Sequence, residues 1–428
     1  MSREMKNSGI PWVGDIPSHW RVETIGSCIK EVNEPNSDLS EDNSLQFKMG
    51  TIISKKYGDS KYNPESLEAY NKVKEGDIII NGLNLSFDFI SLRVGCVEEK
   101  GVITSAYLAV RPLPFIDSHF LNYLFKGYDY CKALHSMGRG LRATLGYKEF
   151  RKYSVIFPEF EEQKAITDFL DKKCNEIDDL ISLQDKIIEE LIAYKQSVIT
   201  EAVCRGLNPN VPRKDSGIVW IGQIPEGWDV SRVGLHYSII LGKMLCDKPI
   251  ENGVFAPYYC AANVHFDGIT SGELKKMWYS LEETEKYRVR NGDLLVVEGG
   301  AGAGGCAIVN SIEGDTFIQN SIMIVRSSSH EVRFLKYHIE RLVSQGYIDF
   351  VCNKATIPHF TKDKLSQVPY AFPSKAEQQA IAEFLDKKCT EIDTLISLKQ
   401  SKIEALKEYK KSIIYEFVTG KKEVPYGE

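Results

Sequence analysis

One stretch of this sequence occurs twice, and that repetition limits the folds open to the chain more than any other feature. Residues 163–183 read QKAITDFLDKKCNEIDDLISL and residues 378–398 read QQAIAEFLDKKCTEIDTLISL, with 16 of 21 positions identical. Both copies continue as charge-rich helical patterns without an internal glycine or proline, and both end at a glycine, Gly206 and Gly420. The acidic residues Glu161, Glu162 and Glu377 near the starts, with glycine at the ends, are helix start and stop signals. Apolar residues recur at Ile166, Leu170, Ile177, Leu180, Ile187 and Leu191, and again at Ile381, Leu385, Ile392, Leu395, Ile403 and Leu406. Their steps near three and four predict a coiled-coil seam. At about 1.5 Å per residue each helix is roughly 65 Å long. Such a helix cannot bury its stripe alone, and the nearest available partner is the other copy.

A second repeat frames the rest. Residues 8–26 (SGIPWVGDIPSHWRVETIG) return as 216–234 (SGIVWIGQIPEGWDVSRVG) with 10 of 19 identities. Its prolines, glycines and tryptophans suit an extended, aromatic-anchored segment. Short β-branched and apolar runs follow in each half, at 73–81, 92–97 and 106–111, then at 289–297, 305–309 and 321–326. Each half then turns helical, at 118–135 and 331–343, and closes with an apolar strand ending in Phe-Pro, at 153–158 and 368–373. With 428 residues the chain exceeds one ordinary core. The expected fold class is α+β: two mostly-β domains, 8–157 and 207–371, alternating with two long helices, 158–206 and 372–420. Chain routing favours an antiparallel pair, with an approximate two-fold relation between the halves.

Charge sharpens the pairing. Residues 8–157 hold 18 basic and 18 acidic side chains, as do residues 205–371. Residues 158–204 hold 5 basic and 12 acidic side chains and residues 372–422 hold 10 and 8, so unlike pairing is favoured over like. A coil surface that binds an outside protein is the competing reading. No apolar run reaches membrane-span length, the N-terminus lacks a signal-peptide core, and the ten cysteines include no CxxC pair. A reduced, cytoplasmic protein is expected.

Catalytic motifs are missing. Gly300, Gly302 and Gly305 satisfy GxGxxG, but the residues after them (CAIVN) read as a strand where a dinucleotide site needs a helix. A permissive hairpin loop that allows close backbone approach fits better. The eight histidines show no metal spacing, no GxSxG elbow appears, and no bound cofactor or metal is expected. What resembles a contact surface is basic and loop-like. Residues 126–152 carry seven basic side chains against two acidic ones, with Arg139, Arg142, Thr144, Tyr147 and Lys148 at the heart of the stretch. The equivalent stretch of the second half offers Lys354, Thr356, His359, Thr361 and Lys362, and a third loop offers Lys55, Lys56, Tyr57 and Lys61. Such side chains suit phosphates and base edges.

The twice-used SGIxWxGxIPxxW segment, the twice-used EQxAIxxFLDKKCxEID helix start and the dissimilar β-rich domains together resemble the DNA-specificity subunit of type I restriction-modification systems. The resemblance covers essentially the whole chain. It implies two target recognition domains, each reading one half of a split sequence in double-stranded DNA. It implies helices that serve as a spacer and as a platform for two modification subunits. Restriction/translocase subunits complete such a complex, with S-adenosylmethionine, ATP and Mg on the partner subunits. Base-reading residues differ among members, so the loops named above rest on local chemistry alone. The alternatives are a non-catalytic scaffold or ligand-binding protein on a coil, and a single-chain DNA methyltransferase or nuclease.

Overall fold

In the computed structural model, residues 3–55, 64–140, 143–270, 272–312, 314–352 and 358–425 are described. They form two compact units, one of residues 1–185 with 400–428 and one of residues 186–399. The long helices run Phe160–Arg205 and Lys375–Val418, so each contributes a segment to each unit.

In the first unit a four-stranded antiparallel sheet has the spatial order Ile29–Glu31, Leu108–Pro112, Ile78–Ile80, Val94–Cys96. Its central strand is the run Ile78, Ile79, Ile80, buried on both faces. Alternation sorts the side chains. Ile78, Ile80, Leu108 and Val110 join the large core with helix Ser118–Tyr130, while Ile79 and Ala109 join a smaller core on the opposite face. A hairpin, Leu45–Lys48 with Thr51–Ser54, and an antiparallel strand pair, Tyr70–Val73 with Gly101–Thr104, flank the sheet. Asp77, fully buried, is held bidentately by Arg111 at 2.7 and 2.8 Å, which offsets the cost of burying its charge.

The second unit is built on the sheet Ser238–Leu241, Ile322–Arg326, Leu294–Val297, Cys306–Ile308. Leu294 and Val296 face the core shared with helix Val332–Ser344, and Leu295 and Val297 face the other side. Here Arg326 grips Asp293 with two bonds of 2.6 Å.

The two sequence repeats meet inside each unit. Trp20 is buried and its indole N–H donates to Glu162 at 3.2 Å; Trp228 donates to Glu377 at 3.3 Å. Buried Gln163 accepts from the N–H of Asp117 at 2.8 Å and donates to the Pro158 carbonyl at 3.0 Å. Gln378 likewise accepts from Glu331 N–H at 3.0 Å and donates to the Pro373 carbonyl at 2.9 Å. The hydroxyl of Tyr123 donates to Asp171 at 2.6 Å, and that of Tyr337 to Asp386 at 2.7 Å. The repeated Glu-Gln and the aspartate of FLDKKC are therefore a clamp between long helix and globular region. The helices stop at Gly206 and Gly420, both left-handed at φ 72° and 69°. A Cβ at Gly420 would collide with Pro17, and one at Gly206 would press on Trp228 at 3.3 Å.

Within each unit the two long helices run antiparallel. In the first unit the rings of Phe169 and Phe417 lie 4.5 Å apart, and Lys410 reaches Asp178 at 2.6 Å. In the second, Lys195 reaches Asp393 at 2.8 Å. Ile166, Leu170, Ile177, Ile381, Leu385, Ile392 and Ile403 are buried, and Ile187, Leu191 and Leu406 are half-buried. Leu180 and Leu395, expected on the buried stripe, are instead 44% and 46% exposed. The contact line steps by four from Ile177 to half-buried Ile181, and by four from Ile392 to half-buried Ile396. A step of three therefore leaves each leucine one position off it.

Candidate nucleic-acid interface

In both units the loop that leaves the central strand packs beside the loop that precedes the final short helix. The first unit joins residues 81–93 to residues 138–140 and 143–146. Leu145 N–H donates to the Gly82 carbonyl at 2.9 Å, and Leu85 N–H to the Ala143 carbonyl at 3.2 Å. Arg139 and Thr144 exchange backbone bonds of 3.0 and 2.9 Å, which closes a tight tip with both side chains exposed. Arg93, buried, staples the neighbouring loop from beneath. Its guanidinium donates to the carbonyls of Leu83 at 2.8 Å and Asp88 at 2.7 Å and lies 3.3 Å from the Asp88 carboxylate. The Asp88 carboxyl is held down at about 2, chiefly by the Ser91 N–H, with help from the Ser91 hydroxyl and the Ile90 N–H. His135 contacts the Asp88 carbonyl at 3.0 Å, and the Phe89 ring stacks on it at 4.7 Å.

The second unit places the glycine-rich loop 298–305 against residues 358–360. Gly300 N–H donates to the Pro358 carbonyl at 3.1 Å, and Phe360 N–H to the Glu298 carbonyl at 2.6 Å. The next element is the strand Cys306–Ile308, as the sequence reading expects. His359 is exposed, with Nδ1 3.4 Å from Glu298 and 2.8 Å from where a Gly299 Cβ would stand. At Gly300 and Gly302 an added Cβ would meet nothing, so bare backbone faces solvent there.

The structure thus brings Arg139 and Thr144 together with one loop and His359 with the other. Tyr147 is partly engaged internally, its hydroxyl 3.4 Å from the Ile29 carbonyl and its ring 5.6 Å from the Arg151 guanidinium; Lys148 is exposed beside it. Thr361 caps the helix Lys362–Gln367, accepting from Lys364 N–H at 3.4 Å, and Lys362 is exposed. Lys55 follows the hairpin 45–54 at its open end, away from the turn. Lys56, Tyr57, Lys61, Arg142, Lys354 and Thr356 lie outside the described residues. Sequence reasoning passed over the apolar tip of the first loop, where Phe87 and Ile90 are 75% and 85% exposed. Their signal was present as FDFI in a loop otherwise marked by Gly, Asn and Ser.

One metal-like grouping appears among the described residues: Cys96, Glu98 and His119, with ligand atoms within 4.8 Å of one another. Burial pushes the Cys96 thiol up to about 12. No helix among the described residues is long and apolar enough to cross a membrane.

Residues 225–408 match the family model described as the type I restriction modification DNA specificity domain. The chain is similar to the type I restriction enzyme MjaVIII specificity subunit of Methanocaldococcus jannaschii, 24% identical over 430 residues that cover 95% of this chain and 93% of that protein. It is also similar to the putative type I restriction enzyme MjaX specificity subunit of the same organism, 21% identical over 428 residues, covering 96% and 95%. A chain from a structure of the type I R-M system, described for its complex assembly and conformational transition, superposes with a TM-score of 0.70 at 16% identity over 94% of this chain and 98% of that one. The HsdS subunit from Thermoanaerobacter tengcongensis superposes at 0.54 with 16% identity, covering 95% and 98%. Over nearly its whole length the chain is similar to type I restriction enzyme specificity subunits, and residues 225–408 match the DNA specificity domain of that family.

Proposed function

We propose that each unit reads one half of a split DNA target, and that the long helices pair along their length as an antiparallel coiled coil that sets the gap. The observation that carries this reading is the duplicated clamp. Trp20–Glu162 and Gln163–Asp117 in one unit, and Trp228–Glu377 and Gln378–Glu331 in the other, tie a loop-bearing sheet rigidly to a long helix. A rigid tie is what a spacer needs if helix length is to govern where the loops fall. Two modification subunits dock on the helices. Leu180 and Leu183 in the first unit, and Leu395 and Leu398 in the second, support this as exposed apolar side chains off the pairing line. Restriction/translocase subunits join the assembly, and S-adenosylmethionine, ATP and Mg act on the partners, in the cytoplasm. The neutral charge balance of each globular region fits a chain that discriminates bases while its partners supply much of the phosphate attraction.

The test is the motif methylated by this chain together with its modification subunits, read by methylation-sensitive sequencing. Replacing residues 207–371 with the equivalent domain of another family member is expected to change one half of the motif and leave the other half and the gap. A folded exchange that alters both halves overturns modular reading.

A further inference from the structure

The first unit's loop carries a feature for which base reading by polar side chains has no use. Phe87 and Ile90 stand 75% and 85% exposed at the tip of residues 81–93, and Met49 is exposed on the turn between Lys48 and Thr51. That turn touches the same loop, since a Cβ at Gly50 would lie 3.0 Å from Leu92. Exposed apolar side chains on a slack loop fold back onto the protein. Here they are held out. The Arg93 staple, the Asp88 turn and the Phe89–His135 stack fix the backbone on either side of Phe87 and Ile90.

Three non-glycine residues in left-handed conformation converge on this end of the unit: Met49, Asn84 and Ala143, at φ 48°, 55° and 44°. Such strain persists where surrounding structure enforces it, often at a ligand-binding site. Lys48 and Arg139 are exposed on the adjoining turns, so the apolar tip is flanked by cations. A small apolar projection between cations fits a base stack flanked by phosphates better than it fits a flat protein face.

We propose that Phe87 and Ile90 act as a wedge. They enter the base stack of the half-site contacted by this unit, unstack a single base step and kink the duplex, as apolar side chains do in DNA-bending proteins. The described loop 298–305 of the second unit has no large apolar side chain in the place of Phe87 and Ile90. Its loop at the same place in the sheet presents Gly300 and Gly302, and its duplex meets backbone. The proposal rests on the reading of each unit as a half-site reader.

The test uses the full chain with its modification subunits and a duplex bearing the methylated motif. A donor dye is placed outside the half-site assigned to the first unit by domain exchange, and an acceptor in the gap. Wild type is expected to raise energy transfer on binding. Phe87→Ala/Ile90→Ala is expected to abolish that rise and to weaken binding at least about tenfold, while Phe87→Leu keeps most of the rise. Thermal melting of the double variant should match wild type, because both side chains are exposed. An unchanged rise with unchanged affinity in the double variant overturns the wedge and leaves half-site reading intact. A double variant that bends DNA normally but no longer assembles with the modification subunits makes the tip a protein contact, which also overturns it. A wild-type complex that fails to bind the duplex removes half-site reading itself, and the wedge with it.

Discussion

The loops at 81–93 and 298–305 leave corresponding central strands and return to corresponding edge strands, yet they are built on opposite terms. The first is bulky and stapled from below by a buried arginine, with aromatic and aliphatic side chains at its tip. The second is shorter and nearly bare, and it exchanges backbone bonds with residues 358–360. Beneath them the supports agree almost residue for residue: Asp77–Arg111 and Asp293–Arg326, Tyr123–Asp171 and Tyr337–Asp386, Trp20–Glu162 and Trp228–Glu377. The supports are therefore shared by the two units while the loops they carry differ. A support can be kept while the surface it carries is rewritten.

That division is broken most directly at Trp20. Trp20→Ala empties a fully buried site and removes one of the three side-chain partners of Glu162, and is expected to cost about 3–5 kcal/mol. Phe87→Ala, at the exposed tip, should stay within roughly 0.5 kcal/mol of wild type. Urea denaturation of both variants checks this, and equal losses would erase the distinction between support and surface.

Acid should separate the two units. Burial, with the neighbouring Arg341 charge, lowers the His338 pKa to about 3. The fold therefore favours neutral imidazole. Its contribution is complete above the ordinary value near 6.5 and is lost as pH falls towards 3, at up to about 1.4 kcal/mol per pH unit. The first unit has Leu124 at the same place, one residue past the clamping tyrosine. Hydrogen exchange at pH 7 and at pH 4.5 should show helix Val332–Ser344 losing protection before helix Ser118–Tyr130. His338→Leu should narrow the gap.

The smallest effects lie within the glycine loop. Gly304 is left-handed at φ 83°, and a Cβ there would stand 2.9 Å from Val343, so Gly304→Ala should cost roughly 1–2 kcal/mol. Gly302 has open space around it, and Gly302→Ala should change stability by less than about 0.5 kcal/mol. Melting temperatures of the two variants rank them; a reversal would mean that the loop's support lies at its tip.

Much of the support was legible in the sequence because its signals are periodic or repeated. The helix limits, the central apolar strands and the strand after the glycines follow from patterns a few residues long. The clamp was legible only as repetition. Nothing local says that Gln163 is buried against Asp117 or that Glu162 holds Trp20, since the partners are 46 and 142 residues away. Leu180 and Leu395 misled because steps of three and four both satisfy a helical stripe, and only packing against the other helix decides between them. In the loops, attention to charge singled out Arg139 and His359 and passed over Phe87 and Ile90. An apolar residue in a loop carries no sign of whether it points inward or out.

The ion pairs between the long helices carry a further consequence. Asp178 and Lys195 on the first helix occupy the same places in the repeat as Asp393 and Lys410 on the second, and the bridges are Asp178–Lys410 and Asp393–Lys195. Each helix therefore owns both ends of the bridge. Two copies of either helix, laid antiparallel, would form the same two bridges at the same spacing. The bridges fix alignment and are blind to whose helix supplies the partner; only the overall acidity of the first helix weighs against its pairing with itself. An ancestor of half this length, assembling as a symmetric pair, would have needed no new bridge to become a single chain.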